Sequence, residues 1–137
     1  MTGPSMLRLI PGSAGDGQDG GFEVGYVAQD GTERRITLTD AGQTRFEWCR
    51  PARRFPQYKG QRHFPGLWWT ATMGCHVGFE SWLERDHLML LDFDPAVVAV
   101  ASQPFWLFWL TEQGKVRSHA PDYFARLAGG GAVVVDC

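Results

Sequence analysis

Residues 22–38 alternate apolar and polar positions, with FEVGYVAQ before Asp30-Gly31 and TERRITL after it. A period of two on either side of an Asp-Gly pair predicts a β-hairpin over 22–38. From 80 to 92 the period changes. In ESWLERDHLMLLD, Leu83, His87 or Asp86, and Leu90 recur at helical spacing behind Phe79, and Trp82, Met89 and Leu91 widen the apolar face. That width predicts a helix packed on a sheet. Ser81 followed by Glu84 fits a capping box, and Asp94-Pro95 ends the helix. VVAVA (97–101) reads as a short strand. FWLFWL (105–110) does not alternate and reads as a strand buried on both faces. Glu112-Gln113-Gly114-Lys115 turns the chain into a returning strand over Val116–His119. DYFARL (122–127) and AVVVD (132–136) flank Gly129-Gly130-Gly131 and form a last strand pair. Asp40 to Trp48 predicts a short helix capped by Thr39 or Asp40. Residues 11–21 read as loop or disorder, and 49–78 as an irregular stretch with a strand at LWWTATMG.

Composition narrows the class. The chain has 137 residues, 44% hydrophobic and 20% charged, which is globular and of single-domain length. Its three cysteines, Cys49, Cys75 and Cys137, form no CxxC pair and no disulfide framework, which favours a reducing, cytoplasmic compartment. MTGPSMLRLIPGSAG has one arginine, a very short apolar run and an early proline, unlike a secretory leader. No apolar run approaches membrane-spanning length. The net charge of −2 conceals a basic stretch, with Arg45, Arg50, Arg53, Arg54, Lys59 and Arg62 set against Glu47 alone. Such a stretch is either a solvated face or a phosphate-contacting patch. Aromatics interleave with it at Phe55, Tyr58, Phe64, Trp68 and Trp69, as anchors for a long loop or as stacking platforms for nucleic acid.

The acids carry the candidate chemistry. With a turn centred near Gly129, Arg126 opposes Ala132, Phe124 opposes Val134, and Asp122 opposes Asp136. Opposed residues lie roughly 4.5–5.5 Å apart on one face, so two bare carboxylates there invite a cation or a raised pKa. A slip of one residue would separate them. Glu80, Glu84 and His87 share one helical stripe. Carboxylate oxygens suit magnesium or manganese, which activate water and neutralise a phosphoryl group under attack. His119 lies three residues before Asp122 and is expected to face away from it. Gln103 reads as a packing or turn residue. Cys75-His76 with His119 fits no compact zinc spacing.

GFESWLERDHLMLLDFDPAVVAVASQPFWLFWL, followed by GKVRSHAPDYFARL and AVVVD, resembles the N-terminal nuclease domain of TnsA-like transposase endonuclease subunits. The likeness spans about Phe55 to Cys137 and includes FPQYKGQRHFPGLWWTAT. It implies an α/β fold, a restriction-endonuclease-like PD-(D/E)XK core with helix 80–92 packed on a mixed sheet. Residues 1–54 would then be an N-terminal extension carrying the hairpin, and 55–137 the nuclease-like domain. The resemblance matches Glu84, Asp122 and Asp136 to the catalytic and metal-binding acids, with Mg2+ or Mn2+ as cofactor. Arg53, Arg54, Lys59 and Arg62 are the DNA-contact candidates. The family's catalytic lysine would be residue 138, beyond Cys137, so the implied core is cut short at its C-terminus. AVVVD would lie at an exposed edge prone to self-association. The implied activity is hydrolysis of double-stranded DNA at element ends, beside an integrase-type transposase subunit and an ATP-dependent regulator, in the cytoplasm at the nucleoid and without a membrane. The alternative is a catalytically inactive nuclease-like module that binds DNA or a transposase partner.

Overall fold

The computed structural model describes residues 5–9, 21–53 and 65–137. Its strands are β1 (Ser5–Leu9), β2 (Glu23–Val27), β3 (Glu33–Thr37), β4 (Gly66–Thr70), β5 (Cys75–Phe79), β6 (Val97–Ser102), β7 (Trp106–Leu110), β8 (Val116–His119), β9 (Tyr123–Leu127) and β10 (Ala132–Asp136). Among the described residues, helix is confined to the single turn α1 (Leu38–Ala41), a 3-10 turn at Phe46–Trp48, and α2 (Trp82–Phe93).

The expected α/β, restriction-endonuclease-like core on a mixed sheet is not what forms. The strands make three sheets, ordered β1-β10-β9-β6, β3-β2-β7-β8 and β4-β5. Every pairing between them is antiparallel. The physical reason lies in the connections. Parallel neighbours need a crossover of roughly a dozen residues or more, whereas β2–β3, β4–β5, β7–β8 and β9–β10 pair across short turns. With α2 alone longer than a turn, the molecule is predominantly β.

The 22–38 hairpin forms as β2 and β3, from Glu23↔Thr37 to Val27↔Glu33. Gly31 supplies the left-handed residue of its turn at φ 89°, and Asp30 Oδ1 accepts the Thr32 N–H at 2.9 Å. The hairpin is no isolated appendage, because β2 also pairs with β7. β1 pairs with β10 from Ser5↔Asp136 to Leu9↔Ala132. Strand pairing therefore crosses residue 54 twice, and β10 is an interior strand instead of the exposed edge expected beside AVVVD.

The period-two rule sorts β9 and β10 onto two cores. Tyr123, Ala125, Val133 and Val135 pack with Val77, Leu88, Val97 and Val100. Phe124, Ala132 and Val134 face the other way, onto Val24, Ala41, Phe46 and Phe105. A sheet covered on both faces explains why AVVVD does not alternate. FWLFWL behaves differently. Leu107 reaches the second core, but β7 is half-buried along most of its length and Leu110 is 57% exposed. Among the described residues, a side chain lies over Phe108 of this strand: the Arg35 guanidinium is 4.0 Å from its ring centroid.

The short helix expected over Asp40–Trp48 divides into α1, capped by Thr37, and the 3-10 turn. Phe46 anchors that turn, packing against Tyr26, Phe105 and Phe124. Next to it, Glu47 meets the buried Arg126 through two contacts of 3.1 Å. Arg126 also donates to the carbonyls of Thr44 and Gly130.

Candidate carboxylate site

The first turn of α2 presents Glu84. Ser81 is extended at the N-cap, and its Oγ accepts the Glu84 N–H at 3.2 Å. The same hydroxyl donates to Glu84 Oε2 at 3.2 Å, so the cap and the carboxylate hold each other. The capping-box reading is thereby realised with the serine side chain, not its backbone, facing the glutamate. Glu84 is 7% exposed, and its other oxygen, Oε1, is buried with no hydrogen-bond partner.

Asp122 and Asp136 come from the open end of the β9–β10 hairpin. The register expected from the glycine turn holds from Ala132↔Arg126 to Val135↔Tyr123. Beyond that pair the ladder shifts. The Asp122 N–H donates to the Val135 carbonyl at 3.1 Å, and Asp122 Oδ2 accepts the Cys137 N–H at 2.8 Å. Asp136 is held by His119 across the site, at 2.7 Å between Oδ2 and Nε2. His119 was expected to face away. It comes from β8, in the other large sheet, and the passage between the sheets over 120–122 turns it back toward β10.

Electrostatics tie these acids together. Burial, then the Asp122 and Glu80 charges, push Glu84 up to about 7, against the pull of Ser81. Asp122 is raised by burial and by Asp136 and Glu80, against the Cys137 N–H and Gln103. The surrounding groups register the same field. Burial and the charges of Asp122, Glu84 and Asp136 push the Cys137 thiol up to about 12. The Tyr123 hydroxyl is raised in the same way, by burial first and Glu84 next, and donates to the Gly78 carbonyl at 2.9 Å. A site in which several acids discourage one another's ionisation lacks positive charge.

The bases only partly supply it. Arg53 turns inward, donating to Gln103 Oε1 at 2.9 Å and pairing with Glu80 at 2.5 Å. Arg54, Lys59 and Arg62 lie outside the described residues, as do Phe55, Tyr58 and Phe64. Glu80 thus belongs to the site's rim through Arg53, while His87 is a half-buried residue of α2. Gln103, expected only to pack or turn, is fully buried beside Asp122, and its backbone N–H donates to the Asp122 carbonyl at 2.9 Å. The sequence signal for it was slight: a polar residue directly before Pro104 in a link between apolar strands.

The donors are hard oxygens, the kind that bind Mg2+ or Mn2+. Among the described residues, no three ligating side chains already stand together as a metal cage. Mg2+ often binds through one or two carboxylates and keeps much of its water, and Glu84 Oε1 is a bare, buried acceptor of that kind. The donor chemistry of Glu84 and Asp122 suits such an ion, while Asp136 is engaged by His119. A cavity of about 1020 Å3 lies elsewhere, at the Gly129–Gly131 loop with Arg45 and Arg126, and none of these acids lines it. Among the described residues, no helix is long and apolar enough to cross a membrane.

In comparisons with known proteins, the chain matches no family model and no curated protein.

Proposed function

We propose that this chain is a metal-dependent endodeoxyribonuclease, the TnsA-like DNA-cleaving subunit of a transposition system. The observation that supports it is the coupled set Glu84, Asp122 and Asp136, with Glu84 Oε1 buried and unpartnered. Glu84 and Asp122 would hold a Mg2+ or Mn2+ ion. When bound, the ion supplies charge neutralisation at the phosphate and acidifies water. The protein's own groups do the rest. Asp122 is steadied by the Cys137 N–H, and Asp136 by His119. Glu84, whose carboxyl is pushed up to about 7 by burial and by its acidic neighbours, would give up its proton on holding a cation. Arg53, with Arg54, Lys59 and Arg62, would meet the DNA backbone. An integrase-type transposase and an ATP-dependent regulator would direct the cut to element ends at the nucleoid.

The test is nicking or linearisation of supercoiled plasmid with Mg2+ or Mn2+. Asp122→Ala is expected to reduce cleavage at least a hundredfold and Asp136→Ala to reduce it severely. Full cleavage by the Asp122 variant would sink the proposal.

A second reading rests on α2, where Trp82, Leu83, Leu90 and Phe93 are all more than half exposed. An apolar helix face of this kind suits a non-catalytic module that docks on DNA-bound transposase. Divalent ions would then leave the melting temperature unchanged while transposase binding persists.

A further inference from the structure

Val24 of β2 and Leu107 of β7 stand opposite each other and face the second core. Their neighbours along the two strands therefore point to the other side of the sheet. There the register sets Trp106 beside Gly25, Gly25 beside Arg35, and Phe108 beside Glu23. Leu110 and Val116 pair further along the same side and are 57% and 66% exposed, so solvent reaches it. Gly25 shapes this surface. It has no positive φ, but a Cβ there would lie 2.9 Å from Phe108 Cε2. The missing side chain lets the Phe108 ring lean over β2, and the Arg35 guanidinium lies over that ring, 4.0 Å from its centroid. Glu23 pairs with Arg35 Nε and holds the guanidinium in place. Next to them opens a groove of about 430 Å3, whose lining includes Gly25, Arg34, Arg35, Trp106, Phe108 and Ala52, with Glu33 as the one acid.

The groove adjoins the carboxylate site. Ala52 lines it, the Ala52 N–H donates to the Gln103 carbonyl at 2.7 Å, and Arg53 carries on to Gln103 Oε1 and Glu80. Residues 52–53 therefore border both. A groove walled by an indole, a phenyl ring and a guanidinium plane suits a flat ring, since nucleobases stack on all three. A base inside a duplex keeps both faces covered by its neighbours, so the ring that enters must be unpaired. The strand carrying it is anionic, and the exposed Arg34 supplies a counter-charge at the groove. Resting on the nuclease reading for the identity of the ligand, we infer that this groove takes an unpaired nucleobase of the DNA strand handled at the carboxylates, stacked against Trp106 and the Arg35 guanidinium, with Arg34 meeting its phosphate.

Labelled duplexes, titrated with the wild type in Ca2+ and followed by anisotropy, provide the test. A duplex with an unpaired end is expected to bind about tenfold more tightly than its blunt counterpart. An unpaired end made of abasic sugar-phosphates keeps the charge but not the rings, and is expected to lose that gain. Equal binding by the base-bearing and abasic ends would overturn the inference, and this comparison needs no variant to fold. Arg35→Lys keeps the charge and the Glu23 partner but removes the plane, and Trp106→Leu removes the indole. Both are expected to lose the preference for the unpaired end while binding blunt duplex as the wild type does. A preference retained in both variants also overturns the groove. The two readings separate in plasmid cleavage by the wild type. Cleavage without any preference for an unpaired end keeps the nuclease reading and removes the groove. A base-dependent preference without cleavage removes the nuclease reading and leaves a nucleobase-binding site. No binding to any of these DNAs overturns both.

Discussion

Glu84 combines a helix cap, a buried charge and one oxygen with nothing to bond, and its titration follows from that combination. Its pKa rises from 4.5 to about 7 on folding, so the protonated form is the one the fold prefers. The stabilisation is present below the unfolded value and is lost as pH rises through about 7. A shift of this size corresponds to roughly 3 kcal/mol. Glu84→Gln is therefore expected to raise the melting temperature by several degrees at pH 8 and to leave it unchanged at pH 4. Scanning calorimetry at the two pH values checks this. In the wild type, Mg2+ should stabilise more at pH 8 than at pH 6, and the glutamine variant should lose most of that gain. Arg126 poses a different case. Its pair with Glu47 is buried on both sides, at 9% and 5% side-chain exposure. Arg126→Ala would leave the buried Glu47 charge only its longer, 3.5 Å contact to the exposed Arg45, and roughly 3 kcal/mol of stability should go with it. Urea denaturation would show a lower midpoint at unchanged slope. The positions of Glu84 at a helix cap and of the β9–β10 hairpin from Arg126 to Tyr123 followed from local rules, while the expected Asp122↔Asp136 pairing did not form because the ladder shifts beyond Val135↔Tyr123. The partners of His119 and Arg126 could not be read that way, since Asp136 and Glu47 reach them from other elements through tertiary packing.

The elements themselves were readable where a turn or a cap announces them. Asp30-Gly31 marks the first hairpin, the glycine run marks β9–β10, and Ser81 opens α2 as the apolar period demands. Ser81→Ala should cost about 1 kcal/mol through the lost cap. It should also raise the Glu84 pKa further, visible as a shifted pH-stability curve. The far end of α2 is tied down by Asp92, which accepts from Trp68 Nε1, the backbone N–H groups of Ala71 and Thr72, and the Thr72 hydroxyl. Burial works to raise Asp92, but these bonds, led by those from Thr72, outweigh it and hold it down at about 2. Its contribution is present above 3.8 and disappears as pH falls through about 2. Asp92→Asn is therefore expected to weaken the protein at pH 7 and to match the wild type near pH 2, in thermal melts at both. FWLFWL was misjudged because an apolar run cannot report whether its second face is covered by a layer or only by side chains. Over Phe108 of β7 lies the Arg35 guanidinium.

At the scale of the molecule, the architecture depends on which distant strands meet. The helix pattern at 80–92 and the apolar strands after it are equally compatible with a mixed sheet and with antiparallel ones. Nothing local in SMLRL indicates that it pairs with AVVVD, or in EVGYV that it pairs with WLFWL. Those two pairings make the molecule a stack of antiparallel sheets.

The β1–β10 pairing also sets a timetable. Asp136 sits opposite Ser5, so the pairing joins two segments far apart in the sequence. Contacts between such distant segments form slowly, because the loop they close must be ordered first. On dilution from urea, hydrogen exchange should protect α2 and the β2–β3 hairpin first and the β1–β10 ladder last. The sheet that carries Asp122 and Asp136 is then completed only at the final step.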